Sequence, residues 1–150
     1  SAQAILRHVE DGLALARRYH LPRRVRAFIQ EHHGTLCVTI PYHRAVQEAG
    51  NPEKVDRAAF CYRGPRPRSK ETAIVMLADG CEAAVRAARP KDPQELAQIL
   101  ERVFQERIQA GQLDEAPLTM QDLQGIREAF LHVFQGMFHP RLIYPDTSPR

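Results

Sequence analysis

Adjacent histidines, His32 and His33 in "FIQEHHGTL" (residues 28–36), are the first residues in this chain whose types suggest chemistry. Imidazole nitrogens and carboxylate oxygens are the usual ligands of catalytic divalent metals. His8, in "HVEDG", and Asp79, which follows "AIVMLA", could complete such a set from other segments. Each has a plainer reading. Imidazoles near a helix C-terminus meet the helix dipole favourably. Adjacent helical residues point about 100° apart and so rarely share one ion, which leaves one histidine for a metal and its neighbour for a phosphate or a second metal. His8 lacks the second histidine of an H-E-x-x-H motif. Asp79 must be protonated, paired or bound to a cation if it is buried, but needs none of these at the polar edge of its helix beside Gly80.

Arg63, Arg66, Arg68 and Lys70 cluster in and after "FCYRGPRPR" (60–68). This segment is either a solvated loop or a phosphate clamp, with Tyr62 or Phe60 available to lie against a base. His20, His43, His132 and His139 read as surface or packing residues. Cys37, Cys61 and Cys81 are odd in number and lack C-x-x-C spacing, so they are expected to be free thiols in a reducing compartment.

The elements that position these residues are helical. The 150 residues suffice for one domain with a real core. They contain 43% hydrophobic and 26% charged residues, no Trp and a net charge of +3. The basic residues are scattered, unlike the concentrated stripe of a dedicated DNA or RNA binder, and no apolar run approaches membrane-spanning length. The first helix, over 2–20, carries Ile5, Val9, Leu13 and Ala16 on one face. Others follow over 23–32, stopped by Gly34, and over 38–49. A strongly apolar helix starts after Ser69. Asp92, Pro93 and Glu95 open the next, and Thr119 opens the last, with Leu123, Ile126, Phe130, Val133, Phe134 and Met137 as its apolar face. No alternating strand pattern is present. The expectation is one all-α domain of about six helices with a disordered tail at 146–150.

Read end to end, the stretches "HVEDGLALARRYHLP", "FIQEHHGT", "YRGPRPRSKETAIVMLADGCEAAVRA" and "GQLDEAPLTMQDLQGIREAFLHVFQGMFHPRLIYP" resemble the HD superfamily of metal-dependent phosphohydrolases. Within it they resemble the cytoplasmic catalytic domain of seven-transmembrane, PgpH-type cyclic di-AMP phosphodiesterases. The resemblance implies a helical HD bundle with a two-metal centre of iron or manganese that cleaves cyclic di-AMP to linear pApA. His8 matches a second-metal ligand, His32 and His33 the family's histidine pair, and Asp79 the aspartate that closes the first metal's set. Tyr62, Arg63, Arg66 and Lys70 fall on the substrate side, in the loop 60–68 and the start of the following helix. It also implies a bacterial inner-membrane protein with this domain in the cytoplasm, out of contact with the membrane.

Two departures stand out. The family's upstream His and its adjacent His-Asp pair, which supplies the metal-bridging carboxylate, are absent from these 150 residues. "CYRGP" also stands where the family reads R-Y-P-G-P, with Arg63 in place of proline. The chain is therefore expected to be the C-terminal portion of the domain, lacking its N-terminal helices, weak in metal binding and inactive alone. Apolar surface left by missing helices would favour a homodimer. The competing reading is a degenerate HD module that binds a nucleotide or protein partner without chemistry.

Overall fold

A computed structural model describes residues 1–138: six α-helices, two short 3-10 turns and no strand. The helices are α1 (Ala2–Arg18), α2 (Arg23–Glu31), α3 (Thr39–Ala49), α4 (Lys70–Ala88), α5 (Pro93–Gln109) and α6 (Met120–Phe138), with 3-10 turns at Pro52–Lys54 and Arg57–Phe60. The all-α expectation holds. The tail expected at 146–150 and His139 lie outside the described residues. No described helix is long and apolar enough to cross a membrane.

Side chains that satisfy otherwise orphaned backbone N–H groups set the helix starts. Ser69 and Thr72 form a reciprocal capping box at α4. At α6, Thr119 Oγ1 accepts from the Asp122 N–H and Asp122 Oδ2 from the Thr119 N–H, both at 3.0 Å. At α5, Asp92 accepts from the Glu95 N–H as expected, but Glu95 reaches past Asp92 to the Lys91 N–H, 2.8 Å away.

The core is a three-helix layer with α5 between α4 and α6. Leu96, Ile99, Leu100, Val103 and Phe104 recur at helical spacing along α5 and meet Leu77, Cys81 and Val85 of α4 and Leu123 and Phe134 of α6. Phe104 is fully buried and meets Phe130 edge to face, with ring centroids 5.8 Å apart. The expected apolar face of α6 is corrected at two positions. Val133 and Met137 lie on a stripe turned away from α5 and are more than half exposed.

The α1/α2 pair joins this layer through contacts of α2 with α4. Ala16 is the sole buried residue of α1, and Ile5, expected on its inner face, is 46% exposed.

Two of the three cysteines also depart from expectation. The Val38 N–H donates to the Phe60 carbonyl at 2.8 Å and the Tyr62 N–H to the Leu36 carbonyl at 2.9 Å, forming an isolated antiparallel bridge. Cys37 and Cys61 face each other across it as a disulfide. Loop-to-loop pairing over 24 residues leaves no local spacing signal. In a reducing compartment the pair would be a dithiol, and the backbone bridge would still hold the two loops together. Cys81 is free and buried, and burial pushes its thiol up to about 12, so it stays protonated and inert.

Candidate metal centre

The α1–α2 packing brings His8, on α1, against the two residues that follow the last turn of α2. Ligand nitrogens of His8, His32 and His33 all lie within 4.8 Å of one another. The expected divergence of His32 and His33 does not occur, because the helix ends at Glu31 and both sit where the backbone leaves it. Their ring centroids are 4.0 Å apart.

Hydrogen bonds fix the ring tautomers. His32 Nδ1–H donates to the Ile29 carbonyl at 2.7 Å, and His8 Nδ1–H donates to the Ile5 carbonyl. A protonated Nδ1 leaves the Nε2 lone pair as the ligand of each ring. Those two Nε2 atoms face each other at 3.4 Å. Two nitrogens each ~2.1 Å from one ion sit roughly 3.0–3.4 Å apart at octahedral to tetrahedral angles, so the pair fits a shared metal.

Asp79 contributes from α4, its Oδ2 3.8 Å from His33 Nδ1, with half its side chain exposed. It thus occupies the polar edge of its helix and faces the histidines. His33 is the more enclosed partner of that pair, with 22% of its side chain exposed. Burial first, then the neighbouring His32, lower its pKa to about 4 against the partial opposition of Asp79, while His8 and Arg107 push it further down. It is therefore neutral, with a free lone pair, at pH 7.

The sign of the resulting pH dependence follows. Between about pH 6.5 and 4 the unfolded imidazole is protonated while the folded one is not, so stability falls as pH falls through that window. Chemical denaturation of the metal-free chain is expected to show a loss of roughly 2 kcal/mol between pH 7 and pH 5, and His33→Gln should remove most of it. An undiminished pH dependence in His33→Gln would contradict the assignment.

Of the four residues expected on the substrate side, Tyr62 alone meets this group. Its ring stacks on His33 at 4.5 Å with planes 16° apart and meets His8 edge to face at 5.7 Å. Burial, then Asp79, hold its phenol above the ordinary range, so it stays an O–H donor. Arg63 pairs with Glu10 at 3.3 Å, Arg66 with Asp114 at 3.9 Å and Lys70 with Asp122 at 2.9 Å. Each is held by a carboxylate instead of converging on the histidines.

Three residues that position the site escaped the sequence reading. Glu31 is buried, and its Oε1 accepts from the Arg68 N–H at 2.7 Å and from Thr72 Oγ1 at 3.0 Å. It ties the end of α2 to the proline-rich loop and to the start of α4. Gln112 is 2% exposed, accepts from the Thr35 N–H and donates to Thr35 Oγ1, both at 2.9 Å. It thereby clamps the turn just after His33. Arg107 extends over Gly80, whose missing side chain makes the room: a Cβ there would lie 2.7 Å from a guanidinium nitrogen. A cation on the inward stripe of α5, one turn beyond Val103 and Phe104, is the sequence signal that marks Arg107. Glu31 and Gln112 carry no comparable signal.

No family model matches the chain. An uncharacterized protein of Synechocystis, slr0104, is 41% identical across 99% of this chain. The cyclic-di-AMP phosphodiesterases PgpH of Bacillus subtilis and Listeria monocytogenes are 31% and 32% identical across 100% and 99% of it. The chain spans about a fifth of these relatives, between 18% and 21% of their lengths. The crystal structure of the L. monocytogenes PgpH HD domain in complex with cyclic-di-AMP superposes with a TM-score of 0.88 at 30% identity, covering 96% of this chain and 66% of that one.

Proposed function

This chain belongs to the family of PgpH HD domains, and from that premise we propose that its histidine group is part of the metal centre of a cyclic-dinucleotide phosphodiesterase. His8, His32, His33 and Asp79 are the ligands in this reading. The observation that carries it is the pair of His8 and His32 Nε2 atoms, 3.4 Å apart, with both Nδ1 atoms committed to backbone carbonyls. The substrate proposed is cyclic di-AMP, the molecule named with the PgpH domain structure, and the product is linear pApA. The relatives' much greater length makes this a proposal for the full-length protein. Its anchorage in a membrane, with this domain on the cytoplasmic side, is part of the same reading.

Divalent iron or manganese bound here would supply Lewis acidity toward phosphoryl oxygens and acidify water. The chain's own residues do the rest. Carbonyl-anchored rings keep the lone pairs of His8 and His32 converged, which saves reorganisation when a metal enters. Tyr62 walls one side of the histidines and offers a ring face to a base and an O–H to a phosphate. Arg107 adds positive potential beside His33 where phosphate charge gathers. Arg63 has 90% of its side chain exposed and can exchange Glu10 for a phosphate, as can Arg66 and Lys70 for their carboxylates.

Four donors can hold one ion and part of a second set. The bridging carboxylate of an adjacent His-Asp pair is absent from these 150 residues, so the isolated chain should bind metal weakly and turn over little. Incubating it with Mn²⁺ or Fe²⁺ and cyclic di-AMP should yield no more than trace pApA, whereas the full-length protein should produce it readily. Robust turnover by the isolated chain would refute the role given to the missing ligands. Binding without turnover by the full-length protein would assign the degenerate, non-catalytic reading instead.

A further inference from the structure

A groove of about 590 Å³ lies away from the histidines, between α1, α2 and the proline-rich loop. Arg17 of α1, Arg23, Arg24 and Arg26 of α2, and Arg68 of the loop line it. It includes none of His8, His32, His33, Asp79 or Tyr62. Helical spacing explains the convergence: residues 23, 26, 27, 30 and 31 share one face of α2, and 13 and 17 share one face of α1.

Among the described residues none of these five arginines forms an ion pair, so no carboxylate neutralises the cluster. The one carboxylate in the lining, Glu31, is turned inward, its Oε1 taken by the Arg68 N–H and Thr72 Oγ1. The Nε–H of Arg26 is buried, as are those of Arg107 and Arg127, without a hydrogen-bond partner among the described residues. Five like charges around one cavity of a volume suited to a small ligand describe a cradle for an anion.

We propose that this groove binds a polyvalent phosphate group, as carried by a di- or triphosphate moiety or by a phosphorylated lipid headgroup. Guanidinium forks match phosphate oxygens two at a time. Convergence of several forks favours a multiply charged phosphate over a carboxylate. The proposal does not depend on the metal centre.

The test is a calorimetric titration of the chain with inorganic tripolyphosphate, beside flotation with vesicles containing phosphatidylinositol phosphate. Saturable binding that weakens steeply with salt is expected. Arg17→Gln/Arg23→Gln, both exposed positions, should lower affinity about tenfold or more. Arg26→Gln should do the same if it folds. His33→Gln, which disables the proposed metal centre, should leave this binding unchanged, and so should Arg86→Gln on α4. Binding to the vesicles alone would assign the phosphate to a lipid, and binding to tripolyphosphate alone to a soluble ligand. Failure to bind either, or equal binding by the double variant, would overturn the proposal.

Discussion

Replacing His32 with alanine in the full-length protein is expected to lower Mn²⁺-dependent cleavage of cyclic di-AMP by on the order of 100-fold or more while leaving the fold intact. The two consequences differ in size because the ring does two jobs of unequal weight. Structurally it makes one hydrogen bond, from Nδ1 to the Ile29 carbonyl, worth about 1 kcal/mol. Chemically its Nε2 is one of the two lone pairs that face each other at 3.4 Å. Even groups that merely orient a ligand cost 10–100-fold when removed, so loss of the ligand itself should exceed that range. Circular dichroism should be unchanged, and turnover followed by separation of pApA should be nearly abolished. Turnover within tenfold of wild type would exclude His32 as a ligand.

The second large effect is on stability. Gly34→Ala should destabilise the chain by about 3–5 kcal/mol, a substantial part of the typical 5–15 kcal/mol of a domain. Gly34 has φ +48°, a left-handed conformation that costs an L-residue roughly 1–2 kcal/mol. The added Cβ would also lie 2.3 Å from Gln112 Oε1 and 2.8 Å from Met76 Cε, both on nearly inaccessible side chains. Relieving that overlap displaces Gln112 from its bonds to Thr35 and Ala110, each worth about 1 kcal/mol. Gly50 is the control. Its φ is +71°, but a Cβ there meets nothing within 4 Å, so Gly50→Ala should show the conformational cost alone, about 1–2 kcal/mol. Urea denaturation of both variants separates the terms. Equal destabilisation would mean that the clamp on the turn behind His33 is loose.

These two glycines show where sequence reasoning reaches and where it stops. Gly34 announces the end of α2 because a left-handed residue after a helix is a local preference. The crowding around it depends on Gln112, 78 residues later in the chain, and no local pattern encodes that. The same division runs through the fold. Ser69, Asp92 and Thr119 mark helix starts by chemistry confined to one turn, and the stripe of α5 follows from its period. The Cys37–Cys61 bridge, the inward turn of Glu31 and the exposure of Val133 and Met137 depend on which elements meet. His8 and His32 carry no mutual signal as residues, being 24 positions apart. The family resemblance nominated them together, and the α1–α2 packing brings their nitrogens face to face. Tyr62 and its cationic neighbours show the opposite limit. Grouped in sequence, they separate in space, one onto His33 and the others onto Glu10, Asp114 and Asp122.

The central claim is that His8, His32, His33 and Asp79 ligate a divalent metal. Its most direct test is a Mn²⁺ titration of the metal-free full-length protein followed by electron paramagnetic resonance, with His32→Ala run alongside. The account predicts saturable loss of the free Mn²⁺ signal in the wild type and a marked loss of that binding in the variant. Identical titration curves for the two proteins would contradict it.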